Sequence, residues 1–207
     1  MWYVEKHRKL VLVVAVCLAL ANAVVWFAVW GTRHSAAPRI AFLDVGQGDS
    51  ELVEFPAGGG QAGGVQLLID GGPPNGRALQ ELGRILSPTD RYLDLVLMTH
   101  PQEDHFGGFI ELMKRYEVGA FLWSGRPGET DAYRELARVL NDRKVRQVVV
   151  GAGDRIRVGE HVARVLAPTH TLLTSQELND TSVVLHVALA GVSALFTGDA
   201  GPAVEQM

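Results

Sequence analysis

The stretch "THPQEDHFGG" (residues 99–108) decides how the rest of the chain is interpreted. It places His100, Asp104 and His105 within six residues and ends in a glycine pair. Imidazole nitrogens combined with carboxylate oxygens suit Zn²⁺, Mn²⁺ or Fe ions, whereas Ca²⁺ prefers oxygen ligands alone. The stretch therefore predicts a metal-binding loop. Gly107 and Gly108 are expected to let the chain turn closely past the ions before it enters the next helix.

A largely apolar run, "YLDLVLMT" (residues 92–99), ends where this motif begins, and it is typical of a strand buried on both faces. Ligands of layered α/β domains bind beyond the carboxyl ends of such strands, so the motif is expected at a sheet edge. Hydrophobic periodicity and turn residues predict the other elements. Strands are expected at residues 40–45, 50–55, 65–70, 121–123, 145–150, 154–158, 161–168, 182–189 and 193–200, and helices at 77–86, 109–116 and 130–143.

Composition indicates a globular domain of modest negative charge. The chain has 207 residues, of which 47% are hydrophobic and 20% are charged. From residue 38 onward it carries 15 Lys and Arg against 22 Asp and Glu, a formal balance of −7. This balance argues against a large basic groove for nucleic acid. It does not exclude a nucleic-acid substrate, because bound divalent cations would be the largest local charges in a metal site.

The N-terminal region predicts a membrane anchor. Residues 10–30 contain no charged side chain, and as a helix they would extend about 31 Å, enough for a hydrocarbon core of about 30 Å. Lys6, Arg8 and Lys9 precede this run, so the positive-inside rule places residues 1–9 in the cytoplasm. Residues 31–38 are then a linker, and the domain that begins at residue 39 lies outside.

A cleaved secretory signal is the alternative for the same region, because Ala21, Asn22 and Ala23 form a small-residue cleavage pattern. The apolar run continues to residue 30, beyond the length of about 7–15 residues that such signals use, and this favours an uncleaved anchor. Both interpretations export the domain. The single cysteine, Cys17, lies in this segment, so the predicted domain has neither disulfides nor cysteine-ligated zinc.

Five strings follow one another in a characteristic order: "FLDVGQGDS" (42–50), "LLIDGG" (67–72), "THPQEDHFGG" (99–108), "NDTSVVLHV" (179–187) and "LFTGDA" (195–200). Together they resemble the metallo-β-lactamase-like domain of ComEC-type competence DNA-uptake proteins and their single-anchor relatives. The resemblance extends from residue 39 to the end of the chain. It implies an α/β fold, an αββα sandwich with a dinuclear metal site at one edge.

The resemblance also implies roles for individual residues. His100 is expected to bind one metal ion, Asp104 and His105 the other, and Asp199 both. Asp104 and Asp199 are thereby the residues expected to serve catalysis. Asp70 is implied as a supporting acid that orients the histidine loop. Asp44, Gln102 and Asp49 are expected to lie close to the metal ligands. Gly46 and Gly48 equally allow the 44–50 loop to be a simple sharp turn.

Two departures from the family pattern affect these expectations. Gln102 stands where the superfamily has a second histidine, which removes one ligand of the first metal ion. Members of the family also continue past the "TGDA" strand with a His-His-Gly-Ser-like segment, whereas this sequence ends at residue 207. The domain over residues 39–207 is therefore expected to be a C-terminally truncated version of the fold.

The function implied by the resemblance is that of an exported, membrane-anchored, metal-dependent hydrolase. It would act on phosphodiester bonds of DNA with two divalent ions, Zn²⁺ or Mn²⁺, in connection with DNA uptake and beside a separate channel. Hydrolysis of another ester or amide, including lactams, is an alternative because fold does not fix substrate. A catalytically silent binding domain is a further alternative, favoured by Gln102 and the missing C-terminal segment.

Overall fold

Two β-sheets face each other, and helices cover the outer face of the larger sheet. The computed structural model describes residues 2–31, 38–56, 64–189 and 191–206. The larger sheet has six strands in the order of the sequence, and the smaller has four. The six are β1 (Arg39–Phe42), β2 (Glu51–Phe55), β3 (Val65–Ile69), β4 (Tyr92–Leu97), β5 (Glu117–Trp123) and β6 (Arg146–Val149). The four are β7 (Arg155–Val158), β8 (His161–Ala167), β9 (Val184–Leu189) and β10 (Val192–Phe196).

Strand pairing in the six-stranded sheet changes from antiparallel to parallel at β3. Strands β1, β2 and β3 pair antiparallel, whereas β3, β4, β5 and β6 pair parallel. Parallel neighbours need crossover connections, and helices α2 (Arg77–Ile85), α3 (Glu103–Arg115) and α4 (Asp131–Asp142) supply them. The chain segments that follow β3 and β4 therefore leave the sheet at the same edge, which is where the candidate site lies.

The six-stranded sheet separates two hydrophobic cores. On the helical side, Phe106, Phe109 and Leu112 of α3 pack against Val96 and Phe121 of the sheet. On the other side, the two sheets bury a second cluster between them, with members such as Val53, Leu67, Ile69, Leu185 and Val187. Burial on both faces explains why β3 and β4 have nearly continuous apolar sequences.

The outer face of the four-stranded sheet is more open. Leu166 and Leu195 are 46% and 56% exposed there, and the helix that follows β10 in the described residues, α5 (Pro202–Glu205), has four residues. Within the described part of the chain, the predicted αββα sandwich is thus an α/β/β arrangement of one helical layer and two sheets.

Helix α3 begins earlier than the sequence predicts. The prediction placed a loop over residues 99–108 and a helix at 109–116, but α3 begins at Glu103 and includes Asp104, His105 and both glycines. Acidic residues in a first helical turn interact favourably with the helix dipole, and Glu103 and Asp104 occupy that turn. Gly107 and Gly108 therefore permit close packing rather than a chain reversal, and the expected turn at these two residues is wrong.

Residues 10–30, for which the sequence predicts a membrane anchor, lie within the described helix α1 (Trp2–Gly31). Its described side chains, those of residues 7 and 11–27, are exposed. Among the residues that the structure describes, no helix has an apolar stretch long enough to cross a membrane. Residues 32–37 of the predicted linker lie outside the described residues.

The start of α3 is locked against the loop that follows β3. The Gly71 amide donates to the His105 carbonyl at 2.6 Å, and the Gly108 amide donates to the Gly72 carbonyl at 2.9 Å. A Cβ atom at Gly108 would lie 2.0 Å from the Gly71 carbonyl oxygen, whereas a Cβ atom at Gly83 on the exposed side of α2 would meet nothing within 4 Å. These backbone contacts fix where the candidate histidines sit.

We therefore expect Gly108→Ala to lower the free energy of unfolding by at least about 2 kcal/mol, because two backbones would have to separate. Gly83→Ala is the matched control: it should raise that free energy by up to about 1 kcal/mol through helix propensity alone. Urea unfolding followed by circular dichroism measures both. Equal effects of the two substitutions would show that the contact between α3 and the 70–72 loop is unimportant.

Candidate metal centre

Asp70 is the buried acid at the carboxyl end of β3, and it organises the site. Its Oδ1 accepts a hydrogen bond from the Thr99 amide at 2.8 Å, and its Oδ2 accepts one from the Thr99 hydroxyl at 2.6 Å. The same Oδ2 lies 2.7 Å from Nδ1 of His105. A buried carboxylate requires such partners, since an unpaired buried charge is very costly. Asp70 thereby joins the ends of β3 and β4 to the first turn of α3.

The Asp70 contact determines how His105 presents its ring. With Nδ1 bonded to the carboxylate, Nε2 is the nitrogen directed away, and it lies 3.5 Å from Oδ1 of Asp199. Burial by itself lowers the pKa of His105, but the hydrogen bond and charge of Asp70, with the charges of Asp199 and Asp49, outweigh burial and raise it to about 9. The acidic surroundings therefore favour a cation at Nε2.

His100 is oriented by Asp70 indirectly, through Thr99. The Thr99 hydroxyl has one hydrogen and donates it to Asp70, so its 3.0 Å contact with Nδ1 of His100 makes that nitrogen the donor. The lone pair of His100 is then on Nε2. That atom is buried and has no hydrogen-bond partner. Burial and the neighbouring His105 both lower the pKa of His100, which keeps its ring neutral and able to bind a metal ion.

Asp199 reaches the histidines from the opposite sheet. It follows β10 in a turn where Gly198 has a φ of 49°. A Cβ atom at Gly198 would lie 2.7 Å from the Thr99 hydroxyl, so glycine permits the turn to rest on Thr99. The Val183 amide also donates to the Thr99 carbonyl at 2.9 Å and ties the segment before β9 to the same point. The two sheets thus converge at Thr99.

His100, His105 and Asp199 form the cluster that results. One ligand atom from each lies within 4.8 Å of the others. The two imidazole rings have centroids 4.2 Å apart, and both histidines are fully buried, whereas the Asp199 side chain is 44% exposed. The sequence predicted these three residues as metal ligands, and the structure brings them together.

Two other predicted residues lie beside this cluster rather than in it. Asp104 is in the first turn of α3, partly buried, and its carboxylate is not among the three grouped ligands. Its role as a ligand stays a prediction. Gln102 precedes the helix, and its Nε2 donates to Oδ1 of Asn179 at 2.6 Å. The amide that replaces the expected histidine is therefore engaged with the segment before β9.

The 44–50 loop supports the site and is also a sharp turn, so both interpretations of it apply. Gly46 and Gly48 have φ values of 86° and 108°, and a Cβ atom at Gly48 would lie 2.0 Å from the Asp104 carbonyl oxygen. Burial raises the pKa of Asp49, and its charge acts on both histidines. Asp44 differs: its side chain is 87% exposed and lies 3.8 Å from the Arg77 guanidinium.

Glu51, which the sequence motifs did not predict as a site residue, lies in a cavity beside the cluster. Burial, together with the charges of Asp70 and Asp49, raises the pKa of Glu51 from 4.5 to about 8. Its carboxyl group is therefore largely protonated at neutral pH. A signal was present in "SELVEF", because the alternation of this strand places an acid on the apolar face between the sheets. The cavity measures about 180 Å³ and is lined by Phe42, Asp49, Glu51, Ile69, Asp70, Thr99, Leu195, Phe196, Thr197 and Gly198.

The residues present fit a divalent transition-metal ion. Two imidazole nitrogens and a carboxylate oxygen are a common ligand set for Zn²⁺, and they suit Mn²⁺ and Fe²⁺. A buried nitrogen without a partner is rare in native proteins, and a metal ion would satisfy Nε2 of His100. The hydrogen bonds to Nδ1 of both rings are the outer-shell contacts that metal-binding histidines usually have.

We expect Asp70→Asn to weaken binding of Zn²⁺ or Mn²⁺ by about 10- to 100-fold, the usual cost of losing an outer-shell partner. An amide cannot accept from both Thr99 groups and from His105, so the orientation of the rings would be lost. Isothermal titration calorimetry measures the affinity, and circular dichroism checks the fold. Asp44→Asn is the control, and an equal loss of affinity in both variants would contradict the role given to Asp70.

The pKa of Glu51 predicts a pH-dependent stability. Between pH 4.5 and about 8 the folded protein binds a proton that the unfolded chain has released, so stability falls as the pH rises through this window. We expect Glu51→Gln to raise the thermal unfolding temperature at pH 8.5 and to change it far less at pH 4.5. Scanning calorimetry of metal-free protein measures this difference. Glu117→Gln, at an exposed position of β5, should show no such pH-dependent gain.

Comparison with known proteins identifies the family of this domain. A model of the metallo-beta-lactamase superfamily matches residues 44–207. A metallo-beta-lactamase with an HARLDQ motif from Cronobacter sakazakii is similar at 15% identity and a TM-score of 0.50, over 86% of this chain and 64% of that one. The subclass B3 metallo-beta-lactamase MEM-A1, from a soil metagenome library, is similar at 19% identity and a TM-score of 0.49, over 78% and 60%.

CmlA, a diiron beta-hydroxylase from Streptomyces venezuelae, is similar at 17% identity and a TM-score of 0.48, over 80% of this chain and 30% of that one. The chain thus spans less than two thirds of the length of each of these three structures. At such identities the likeness concerns the fold alone. No curated protein matches the sequence. The family model covers most of the chain and includes all three clustered ligands, and the chain belongs to the metallo-beta-lactamase superfamily.

Proposed function

We propose that the protein is a metal-dependent phosphodiesterase that acts on DNA. The observation that carries the proposal is the buried, unpartnered Nε2 of His100, a residue that forms a cluster of candidate metal ligands with His105 and Asp199. The superfamily supplies the coarser statement of a metallo-hydrolase. The DNA substrate rests on the sequence resemblance of "DVGQGDS", "LIDGG" and "THPQEDHFGG" to ComEC-type domains.

His100, His105 and Asp199 would hold the ion, and Asp104 would hold a second ion if two are bound. The chemistry that divalent ions supply in such a site is activation of water and stabilisation of a developing oxyanion. We propose Zn²⁺ or Mn²⁺ on the basis of the nitrogen and oxygen ligand set. Asp70 and Thr99 contribute by fixing both imidazole rings before any substrate arrives.

The acidic side chains around the cavity would repel a phosphate group if all of them were ionised. Asp49 and Glu51 both line the cavity and would repel a phosphodiester if both were ionised. Because Glu51 is largely protonated at neutral pH, it adds little negative charge and can donate a hydrogen bond toward an anion. The acidic side chains around the histidines would then attract the metal cation, and the bound cation would attract the phosphate of the substrate.

A catalytically silent binding domain is favoured by a specific observation, the engagement of Gln102 with Asn179 in place of a metal-binding histidine. Metal binding without turnover would be its signature. The position outside the cytoplasm and the neighbouring DNA-uptake channel stay predictions from the sequence.

The test uses the full chain in a mild detergent with Mn²⁺ or Zn²⁺. We expect cleavage of single-stranded or plasmid DNA, and we expect Asp199→Asn to reduce the rate by more than about 100-fold, since loss of a ligand should exceed the cost of losing an outer-shell partner. Gel electrophoresis follows DNA cleavage, and Asp44→Asn is the control that keeps activity.

A chromogenic lactam is assayed beside the DNA. Turnover of the lactam alone would replace DNA by an amide substrate. Stoichiometric metal binding with no turnover of either substrate would establish the silent binding domain instead.

A further inference from the structure

An exposed aromatic ring stands at the rim of the cavity beside the metal centre. Phe42 is the last residue of β1, the edge strand of the six-stranded sheet, and it is 74% exposed. Its ring lies 6.3 Å from that of Phe196 on the facing sheet, and both residues line the cavity. Single exposed apolar residues are common on protein surfaces. Phe42 differs from most other exposed apolar residues because it lines the cavity beside the metal centre.

Strand pairing fixes that position. Phe42 pairs with Glu51, and Glu51 pairs with Ile69, so the three side chains form a row on one face of the sheet. Ile69 is buried between the sheets and directly precedes Asp70. The row therefore runs from an exposed ring, across a carboxyl group, to the residue beside the acid that organises the histidines. Phe42 lines the same cavity as Asp70 and Thr99, the two residues that contact His105 and His100.

The negative charge of the domain and the lack of basic side chains among the described residues around the cavity leave an apolar contact as the available source of affinity for nucleic acid at this rim. From residue 38 onward the chain has a formal balance of −7, and the described residues that line the cavity include neither Lys nor Arg. Neutralisation of several phosphates by basic side chains, the usual source of affinity for nucleic acid, is therefore not provided around the cavity. Stacking of a base on an aromatic side chain does not require such charges and is available to every base.

We propose that Phe42 is a stacking position for a nucleobase of single-stranded DNA, with the phosphodiester next to that base placed at His100, His105 and Asp199. This inference rests on the proposed function and adds a specificity-determining residue to it. The arrangement predicts a preference for unpaired bases, because a base inside a duplex cannot offer its face to Phe42.

The test compares two substrates of equal length and charge, an oligothymidylate and an abasic strand with the same number of phosphates. We expect Phe42→Ala to raise KM for the oligothymidylate by about tenfold, within the range of a single stacking contact, and to leave kcat within about twofold. KM for the abasic strand should not change. Phe42→Tyr should behave as the wild type, whereas Phe42→Leu, which keeps an apolar side chain without a ring, should behave as Phe42→Ala.

The matched control is Val192→Ala. Val192 is 61% exposed at the start of β10 and does not line the cavity, so its loss should leave both KM values unchanged. An equal rise of KM for both strands in Phe42→Ala would overturn the inference, because it would show a general structural effect. A wild-type level of KM in Phe42→Leu would overturn it as well.

A binding measurement separates failure of this inference from failure of the proposed function. In Phe42→Trp, stacking should quench the fluorescence that the new side chain adds when oligothymidylate is bound, but not when the abasic strand is bound. Cleavage of neither strand by the wild type would refute the proposed function, and the quenching result would still decide the inference. Analytical ultracentrifugation tests whether a second copy of the chain binds at Phe42 instead of DNA. A dimer that dissociates in Phe42→Ala, with unchanged KM, would show that this rim is an interface between copies of the chain and would overturn the inference.

Discussion

The buried carboxylate of Asp70 is the constraint on which the rest of the site depends. It accepts hydrogen bonds from two groups of Thr99 and from His105, and through the Thr99 hydroxyl it also sets the orientation of His100. One acid thus directs Nε2 of both imidazoles toward the same space. Because a buried charge must keep its partners, these contacts also hold the end of β3, the end of β4 and the start of α3 together.

Backbone contacts make this arrangement rigid. Gly108 packs on the Gly71 carbonyl, Gly48 packs on the Asp104 carbonyl, and Gly198 packs on Thr99, all at distances that a side chain would prevent. Gly48, Gly108 and Gly198 are therefore explained by close contacts of helix α3 and of the loops around the metal centre. They bring Asp199, on the second sheet, close to histidines that follow a strand of the first sheet.

Much of this could be predicted from the sequence, and the reasons for the remainder are physical. His100 and His105 were predicted from the nitrogen and oxygen donors of a motif that follows a strand, whereas Asp199 was predicted from the resemblance to ComEC-type domains. The predicted start of α3 is too late, because the glycine pair indicated a turn, whereas Glu103 and Asp104 form a favourable acidic first turn of the helix. Glu51 was missed because its burial depends on the pairing of β2 with β1 and β3, a long-range property that a local motif does not show.

The electrostatic character of the site follows from the same long-range packing. Burial keeps His100 neutral and Glu51 largely protonated, while the acids around His105 raise its pKa. The result is a pocket that attracts a cation but limits repulsion of an anionic substrate. Phe42 at its rim adds an apolar contact where basic side chains are absent from the described lining.

The most direct test of the account is anomalous X-ray diffraction from crystals of the full chain grown with Zn²⁺ or Mn²⁺. We expect an anomalous peak between the Nε2 atoms of His100 and His105 and the carboxylate of Asp199, and no peak there in His100→Ala. An ion bound elsewhere, or side chains at residues 100, 105 and 199 that point apart around no ion at saturating metal concentration, would contradict it.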